Sequence, residues 1–282
     1  MKMVGGAVLL ALSVACSGST GTASFVTWGE EYIEQEIPAV QDGQALVEDG
    51  WTIRYGKFLV NIGGVRIADG SAAPVVTETK TMLVDHKKPG RKALFSYELD
   101  AAAFSNVGYT ISSVNANTDA SLASEEDKAK MIAGGYAVYV EGTATKGTDS
   151  KAFAWGFTTN TLYANCKGEV GGIEREGVAI PSSGTDEVEL TIHGDHFLYD
   201  DLQSPEAKLR FNAIAAADKD NDGKVTLEEL AATKLIDIPA AEGPYGTGNA
   251  ADVNDLRAFV TKLSQTVGHF RGEGECTSSS IK

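Results

Sequence analysis

Between residues 25 and 200, apolar and polar side chains alternate with a period of two, interrupted by glycine, asparagine and aspartate. In GWTIRYGKFLVNIGGVRIADG, Trp51, Ile53 and Tyr55 alternate with polar neighbours, Phe58, Val60 and Ile62 continue the pattern, and Val65 and Ile67 follow a Gly63-Gly64 break. Tyr136, Val138 and Val140 alternate in GGYAVYVEG, as do Phe153, Trp155 and Phe157 in KAFAWGFTT, and the intervening GTATKGTDS reads as a hairpin connection. A period of two puts successive side chains on opposite faces, the pattern of half-buried strands. Several short strands at this spacing predict an antiparallel β-sandwich rather than a parallel α/β sheet. One stretch departs from the pattern: in SEEDKAKMI, Ser124 is an N-cap with Asp127 three residues on, which predicts a short helix.

Beyond about residue 200 the period changes. SPEAKLRFNAIAAA places Pro205 early and Phe211, Ile214 and Ala215 at helical spacing, and LEELAATKL follows after an acidic loop. The connector IPAAEGPYGTGNA leads to a last helical pattern, DVNDLRAFVTKLSQTVGHF, with Leu256, Phe259, Val260 and Leu263 on one face. The expected organisation is a signal peptide over 1–15, a flexible tether over 16–24, a β-sandwich domain over 25–200 and a helical module over 201–282. The fold class is therefore mainly β with a helical C-terminal module.

The first residues carry Lys2, an apolar run from Val4 to Val14, and small residues up to Cys16. The run is too short to span a bilayer and reads as a secretory signal. The Ser-, Gly- and Thr-rich residues after Cys16 suit a tether. SVAC resembles the lipobox of bacterial lipoproteins, with Ser13 standing where Leu is favoured. That resemblance implies lipidation of Cys16, and Ser17 after it implies an outer-membrane anchor facing the periplasm or the exterior. With Cys16 acylated, Cys166 and Cys276 remain, and an oxidising compartment favours a disulfide between them over two unrelated buried thiols. Acidic residues outnumber basic ones 39 to 24, for a formal charge of −15. Such a charge repels nucleic acid at long range and argues against it as a partner.

The acidic loop, DKDNDGKVTLEE from Asp218 to Glu229, matches the twelve-residue calcium loop whose ligands stand at positions 1, 3, 5, 7, 9 and 12 with glycine at 6. Asp218, Asp220 and Asp222 fall at 1, 3 and 5, Gly223 at 6 and Glu229 at 12; Lys224 offers its backbone carbonyl at 7 and Thr226 stands at 9. Hard oxygen donors of mixed denticity suit Ca²⁺. Over roughly 30 residues, from Leu209 to Thr233, the chain resembles the EF-hand family. Members of that family pair their loops, and no second loop of this pattern exists here. The region GPYGTGNAADVNDL is a candidate degenerate partner; packing of the hand on the β-domain is the alternative. With only four methionines in the chain, a structural or low-affinity site is expected rather than a switch.

A second metal chemistry is carried by histidines. In EVELTIHGDHFLYDDL, His193, Asp195 and His196 sit at a strand end, and His86 in LVDHKKPG occupies a similar junction. Two imidazoles and a carboxylate, with His86 as a candidate third imidazole, suit Cu, Zn or Fe; the alternative is that turn histidines bond local backbone groups. The segment order from GWTIRYGKFLVNIGGVRIA through LVDH to AFAWGFTTNTLYANC loosely resembles the periplasmic copper-binding β-proteins of methanobactin loci. The mature chain as a whole resembles uncharacterised exported lipoproteins of the myxobacterial type, which implies architecture only. No GxSxG, HExxH, P-loop or dinucleotide-binding motif is present, and Glu30-Glu31 is the one acidic pair weighed for acid/base work. The sequence thus predicts a non-enzymatic, lipid-anchored, calcium-binding protein with a structural or binding role, and as the alternative a periplasmic transition-metal binder or carrier.

Overall fold

The period-two stretches become strands, as a computed structural model covering residues 18–281 describes them. The predicted signal and Cys16 lie outside the described residues. In chain order the elements that build and position the site are β1 (Thr20–Trp28), α1 (Glu30–Glu34), β2 (Thr52–Ala68), β3 (Thr81–Asp85), β4 (Lys92–Asp100), β5 (Asn106–Ile111), α2 (Glu125–Gly134), β6 (Val138–Lys146), β7 (Asp149–Phe157), β8 (Asn160–Ala164) and β9 (Thr185–Ile192). The C-terminal part adds α3 (Asn212–Ala215), β10 (Lys224–Val225), α4 (Leu227–Ala232), α5 (Leu256–Leu263), β11 (Gly268–Phe270) and β12 (Thr277–Ile281).

Two curled sheets face one another. The smaller has the order β11-β9-β1-β4; the larger follows β10-β7-β6-β2-β5-β8-β12, with β3 added on β2. The β6–β7 hairpin closes at Lys146↔Asp149, and Gly147 supplies the positive φ (58°) that the tight turn needs. The predicted break at Gly63-Gly64 is instead a bulge: β2 runs through it, and its register against β5 shifts between Gly63 and Arg66. A Cβ at Gly63 would lie 2.3 Å from the Lys80 carbonyl oxygen, so a side chain there would force β3 away. The helix after Ser124 forms as predicted, with the Ser124 hydroxyl accepting from the Asp127 amide at 3.1 Å. It covers the outer face of the large sheet, where Met131 packs with Leu59, Leu83 and Tyr139. This explains why β2 is buried on both faces from Phe58 to Gly63 while its first turn alternates.

The fold is mainly β, with curled sheets that share one core, and the pairing is not wholly antiparallel. β1 pairs in parallel with β9, and β7 in parallel with β10. Strands so far apart in sequence are not bound to hairpin geometry, since a long crossover can return the chain in either direction. Part of the predicted tether is strand: Thr20 to Ser24 pair with β4, and Thr22 to Ser24 also with β9. Alternating Thr and small residues there give a strand with Ala23 buried, which a reading by composition treats as linker.

Residues 201–282 do not form a separate helical module. The entering helix is reduced to the four residues of α3, and the segment returns three strands to the two sheets. Its Phe211, Leu230 and Phe259 join one continuous core with Phe25, Phe58 and Trp155 from the sandwich. The last helix ends at Leu263, and the predicted helical TVGHF tail is extended, with β11 on β9. β-Branched Thr266 and Val267 followed by Gly268 disfavour helix there. The Cys166–Cys276 disulfide forms across 110 residues and joins the end of β8 to the start of β12, which pair antiparallel at Ala164↔Thr277.

Candidate metal centres

At the end of β9 the ladder with β11 pairs Thr191 with His269 and Ile192 with Gly268, and the His193 amide then donates to the Val267 carbonyl at 2.8 Å. Gly194 turns the chain into a short 3₁₀ helix, Asp195–Leu198, that carries His196. Only glycine fits at this turn: a Cβ would lie 2.7 Å from Ile33 Cγ1 and 2.8 Å from the Tyr55 ring, whose hydroxyl donates to the Gly194 carbonyl at 2.6 Å. The result brings three imidazoles together. Ring centroids are 4.3 Å apart for His193 and His269, 5.0 Å for His196 and His269, and 5.4 Å for His193 and His196. One nitrogen from each lies within 4.8 Å of the others.

Two threonines fix which nitrogens are free. The Thr266 hydroxyl donates to the Leu263 carbonyl at 2.9 Å, so toward His196 Nδ1, 2.8 Å away, it accepts; the proton is on Nδ1 and Nε2 is bare. The Thr191 hydroxyl donates to the Gly272 carbonyl at 2.6 Å and so accepts from His193 Nε2 at 3.3 Å, which leaves His193 Nδ1 bare. His269 Nδ1 is buried without a hydrogen-bond partner. Burial, with His269 adding to it, pushes His193 down to about 4; burial and the other two imidazoles hold His196 well below its ordinary value, and burial lowers His269. All three shifts favour the neutral imidazole, the form that binds metal.

Carboxylates surround the rings. Glu30 Oε1 lies 3.4 Å from His193 Nε2, and Glu30, His193 and Glu273 form a second group with donor atoms within 4.8 Å. Burial, then Glu273, Asp195 and Glu189, push Glu30 up to about 7. Glu30 opens α1 with φ of 51°, uncommon for a residue with a side chain, whereas its neighbour Glu31 is exposed. Asp195, a predicted ligand, lies beside the cluster without joining either group; burial raises it to about 6, Tyr199 donates to Oδ2 at 3.4 Å, and Oδ1 has no partner.

His86 is not part of the cluster, which corrects its assignment as a third ligand. It is fully buried, and its Nε2 donates at 2.9 Å to the Thr27 hydroxyl, whose own proton goes to the Leu190 carbonyl. It packs beneath Gly29, where a Cβ would lie 2.6 Å from the His86 carbonyl oxygen, and so supports the turn that launches Glu30. His269 takes the third place instead. Its sequence signal was the Val267-Gly268 interruption of a helical pattern, which marks an extended segment pairing with the His193 strand.

In the acidic loop, Asp218 accepts from the Gly223 amide at 3.1 Å and the Asp222 amide at 3.2 Å, with Gly223 at φ 81° and Asn221 at φ 58°. Asp218, Asp220 and Glu229 present oxygens within 4.8 Å of one another. Asp222 stands apart from that group, its Oδ1 accepting from the Lys224 amide at 2.8 Å. Thr226 caps α4: its hydroxyl accepts from the Glu229 amide at 3.2 Å, and Glu229 accepts from the Thr226 amide at 2.8 Å. The Lys151 ammonium pairs with Asp218 and holds it below the ordinary carboxylate range. Lys224 and Val225 pair with Ala152 and Phe153 of β7, and Trp155 Nε1 donates to the Val225 carbonyl at 2.8 Å, so the loop packs on the β-sheet.

The histidine cluster borders two cavities. One, of about 210 Å³, is lined by His196, His269, Thr266, Glu275 and Cys276 among others; a second, of about 410 Å³, shares His196, Thr266, His269 and Glu275 and adds Tyr199. Among the described residues no helix is long and apolar enough to cross a membrane. No protein-family model, curated protein or solved structure matches this chain.

Proposed function

We propose that the protein binds a transition metal on His193, His196 and His269, and that it does so as an exported, lipid-anchored protein of the outer membrane or periplasm. The observation that carries the reading is the convergence of three neutral imidazoles from β9, the 3₁₀ helix and β11, two of them held in one tautomer by threonines. An outer hydrogen bond of this kind orients a ligating histidine and raises its affinity. Imidazole donors backed by carboxylates suit Zn²⁺ or Cu²⁺, and with both described cysteines in the disulfide no thiolate favours Cu⁺. Two cavities bordering His196 and His269 leave the cluster reachable by an ion, which fits binding or carriage better than a sealed structural site. Export is supported by the charged and apolar start, SVAC, and the disulfide. Metal analysis of the purified protein and competitive titration with Zn²⁺ and Cu²⁺ test the reading. Wild type is expected to hold metal and His269→Ala to bind it at least about tenfold more weakly, since even second-shell losses cost 10- to 100-fold. Equal affinity in the two proteins would remove the site.

A second reading rests on an independent observation, the folding of the acidic loop around Asp218 with its donors already gathered. In this reading Asp218, Asp220, Asp222, the Lys224 carbonyl, Thr226 and Glu229 hold Ca²⁺ as in an EF-hand, and the ion fastens β10 to β7. The role is that of a clasp, because the flanking helices are short and the loop's partner is a sheet edge. Calcium titration followed by Trp155 emission checks it; identical curves for wild type and Glu229→Gln would rule the ion out.

A further inference from the structure

His193 belongs to two donor groups at once: one with His196 and His269, the other with Glu30 and Glu273. Its ring has two nitrogens to divide between them. The Thr191 hydroxyl, its proton committed to Gly272, fixes the imidazole proton on Nε2, and Nε2 is the atom that lies 3.4 Å from Glu30. The bare Nδ1 is therefore the donor left for the histidine group, while Nε2 faces carboxylates. Those carboxylates have no basic partner of their own. Among the described residues neither lysine nor arginine pairs with Glu30, Asp195 or Glu273, and Arg271, near in sequence, is taken by Asp186 at 2.7 Å. Asp195 is only 8% exposed and leaves Oδ1 without a partner. Glu273 is exposed and Glu30 half-buried, but an ionised Asp195 buried without a counterion is costly, and a cation beside it and Glu30 is the ordinary remedy.

We propose that the cluster takes two divalent transition-metal ions, the first on His193, His196 and His269 and the second on Glu30 and Glu273, with the His193 imidazole bridging them. The inference rests on the three-histidine reading and adds a second ion to it. Once Nδ1 is metallated, the remaining N–H is acidified, and the second ion displaces the Nε2 proton. That proton leaves through Glu30 to solvent, one metal–nitrogen bond replaces one N–H bond, and no electron is transferred. Thr191, which accepts the hydrogen bond from Nε2 in the metal-free site, releases it when the second ion binds.

Cu²⁺ is the probe, with the full mature chain and saturating Ca²⁺ so that the acidic loop does not contribute. The expected result is two Cu²⁺ per chain, with an electron-spin intensity well below that of two independent ions because the spins couple through the bridge. Glu30→Gln combined with Glu273→Gln, both near-isosteric, is expected to hold one Cu²⁺ with full single-spin intensity. One Cu²⁺ per wild-type chain at full intensity would overturn the second site and leave the three-histidine reading standing. Two ions at full, uncoupled intensity would overturn the bridge. No bound Cu²⁺ at all would overturn both readings. The spin count of wild type is informative by itself, so the inference does not depend on the variant folding.

Discussion

His86 and His196 are both buried and both hydrogen-bonded to a threonine hydroxyl, yet only His196 stands in the histidine cluster. Both lie beside a strand end, and on sequence grounds His196 was a candidate ligand with His86 as a candidate third. What separates them is the neighbourhood that a third element supplies: His196 meets His269 from β11, while His86 meets the backbone of Gly29. His86 thereby becomes a stability residue with a pH signature. Burial, with Lys92 adding to it, pushes it down to about 3 from an ordinary 6.5. Its contribution is therefore complete above pH 6.5 and is lost as pH falls toward 3, because the unfolded chain takes up the proton first. At pH 4 the loss amounts to roughly 3 kcal/mol. Glu30 and Asp195, both raised, run the other way and lose their contribution as pH rises through about 7 and about 6. Comparing wild type with His86→Gln isolates the histidine: the difference in unfolding free energy between them is expected to change with pH between 4 and 6.5 and to be flat from 7 to 8. A pH-independent difference in denaturant midpoints would contradict this.

At the scale of elements, the ligand spacing of the acidic loop was readable because it is local: carboxylates at alternate positions and a glycine at the turn are all within twelve residues. Its pairing partner was not readable, because β7 lies some 70 residues earlier and competes with any other strand edge of suitable register. The structure gives β10 a place in the large sheet, and with it a cation already in the loop, the Lys151 ammonium on Asp218. Lys151 must yield to an incoming Ca²⁺. Replacing it with methionine keeps its partly buried stem and removes the repulsion, about 1 kcal/mol even when unit charges about 4 Å apart are screened as in water. Lys151→Met is expected to bind Ca²⁺ about fivefold more tightly than wild type by calorimetric titration. Weaker binding would show that Lys151 organises the loop instead of competing for it.

For the molecule as a whole, the disulfide closes β8 to β12 and brings the chain segment that bears His269, Glu273 and Glu275 back onto the sandwich. A cross-link over 110 residues restrains the unfolded chain and is expected to stabilise by about 3 to 5 kcal/mol. Cys166→Ser with Cys276→Ser should lower the denaturant midpoint accordingly while leaving the secondary structure intact by circular dichroism; an unchanged midpoint would show that the sheet pairing alone holds the C-terminal segment. The sequence by itself determined what depends on neighbours a few residues away: the strand periodicity of residues 51–67 and 138–157, the capped helix after Ser124, the acidic loop and, by elimination, the cysteine pair. The tertiary structure alone decided what depends on residues far apart. It joined the described residues from 201 onward to the common core, made the β1–β9 pairing parallel, turned Gly268–Phe270 into a strand, and brought His269 rather than His86 to His193 and His196. The physical reason is the same in each case. Local pattern fixes which face of an element is apolar, but a cluster of three histidines from three elements is made by those elements meeting. Here they meet because β11 pairs with β9 and the Gly194 turn fits against Ile33 and Tyr55.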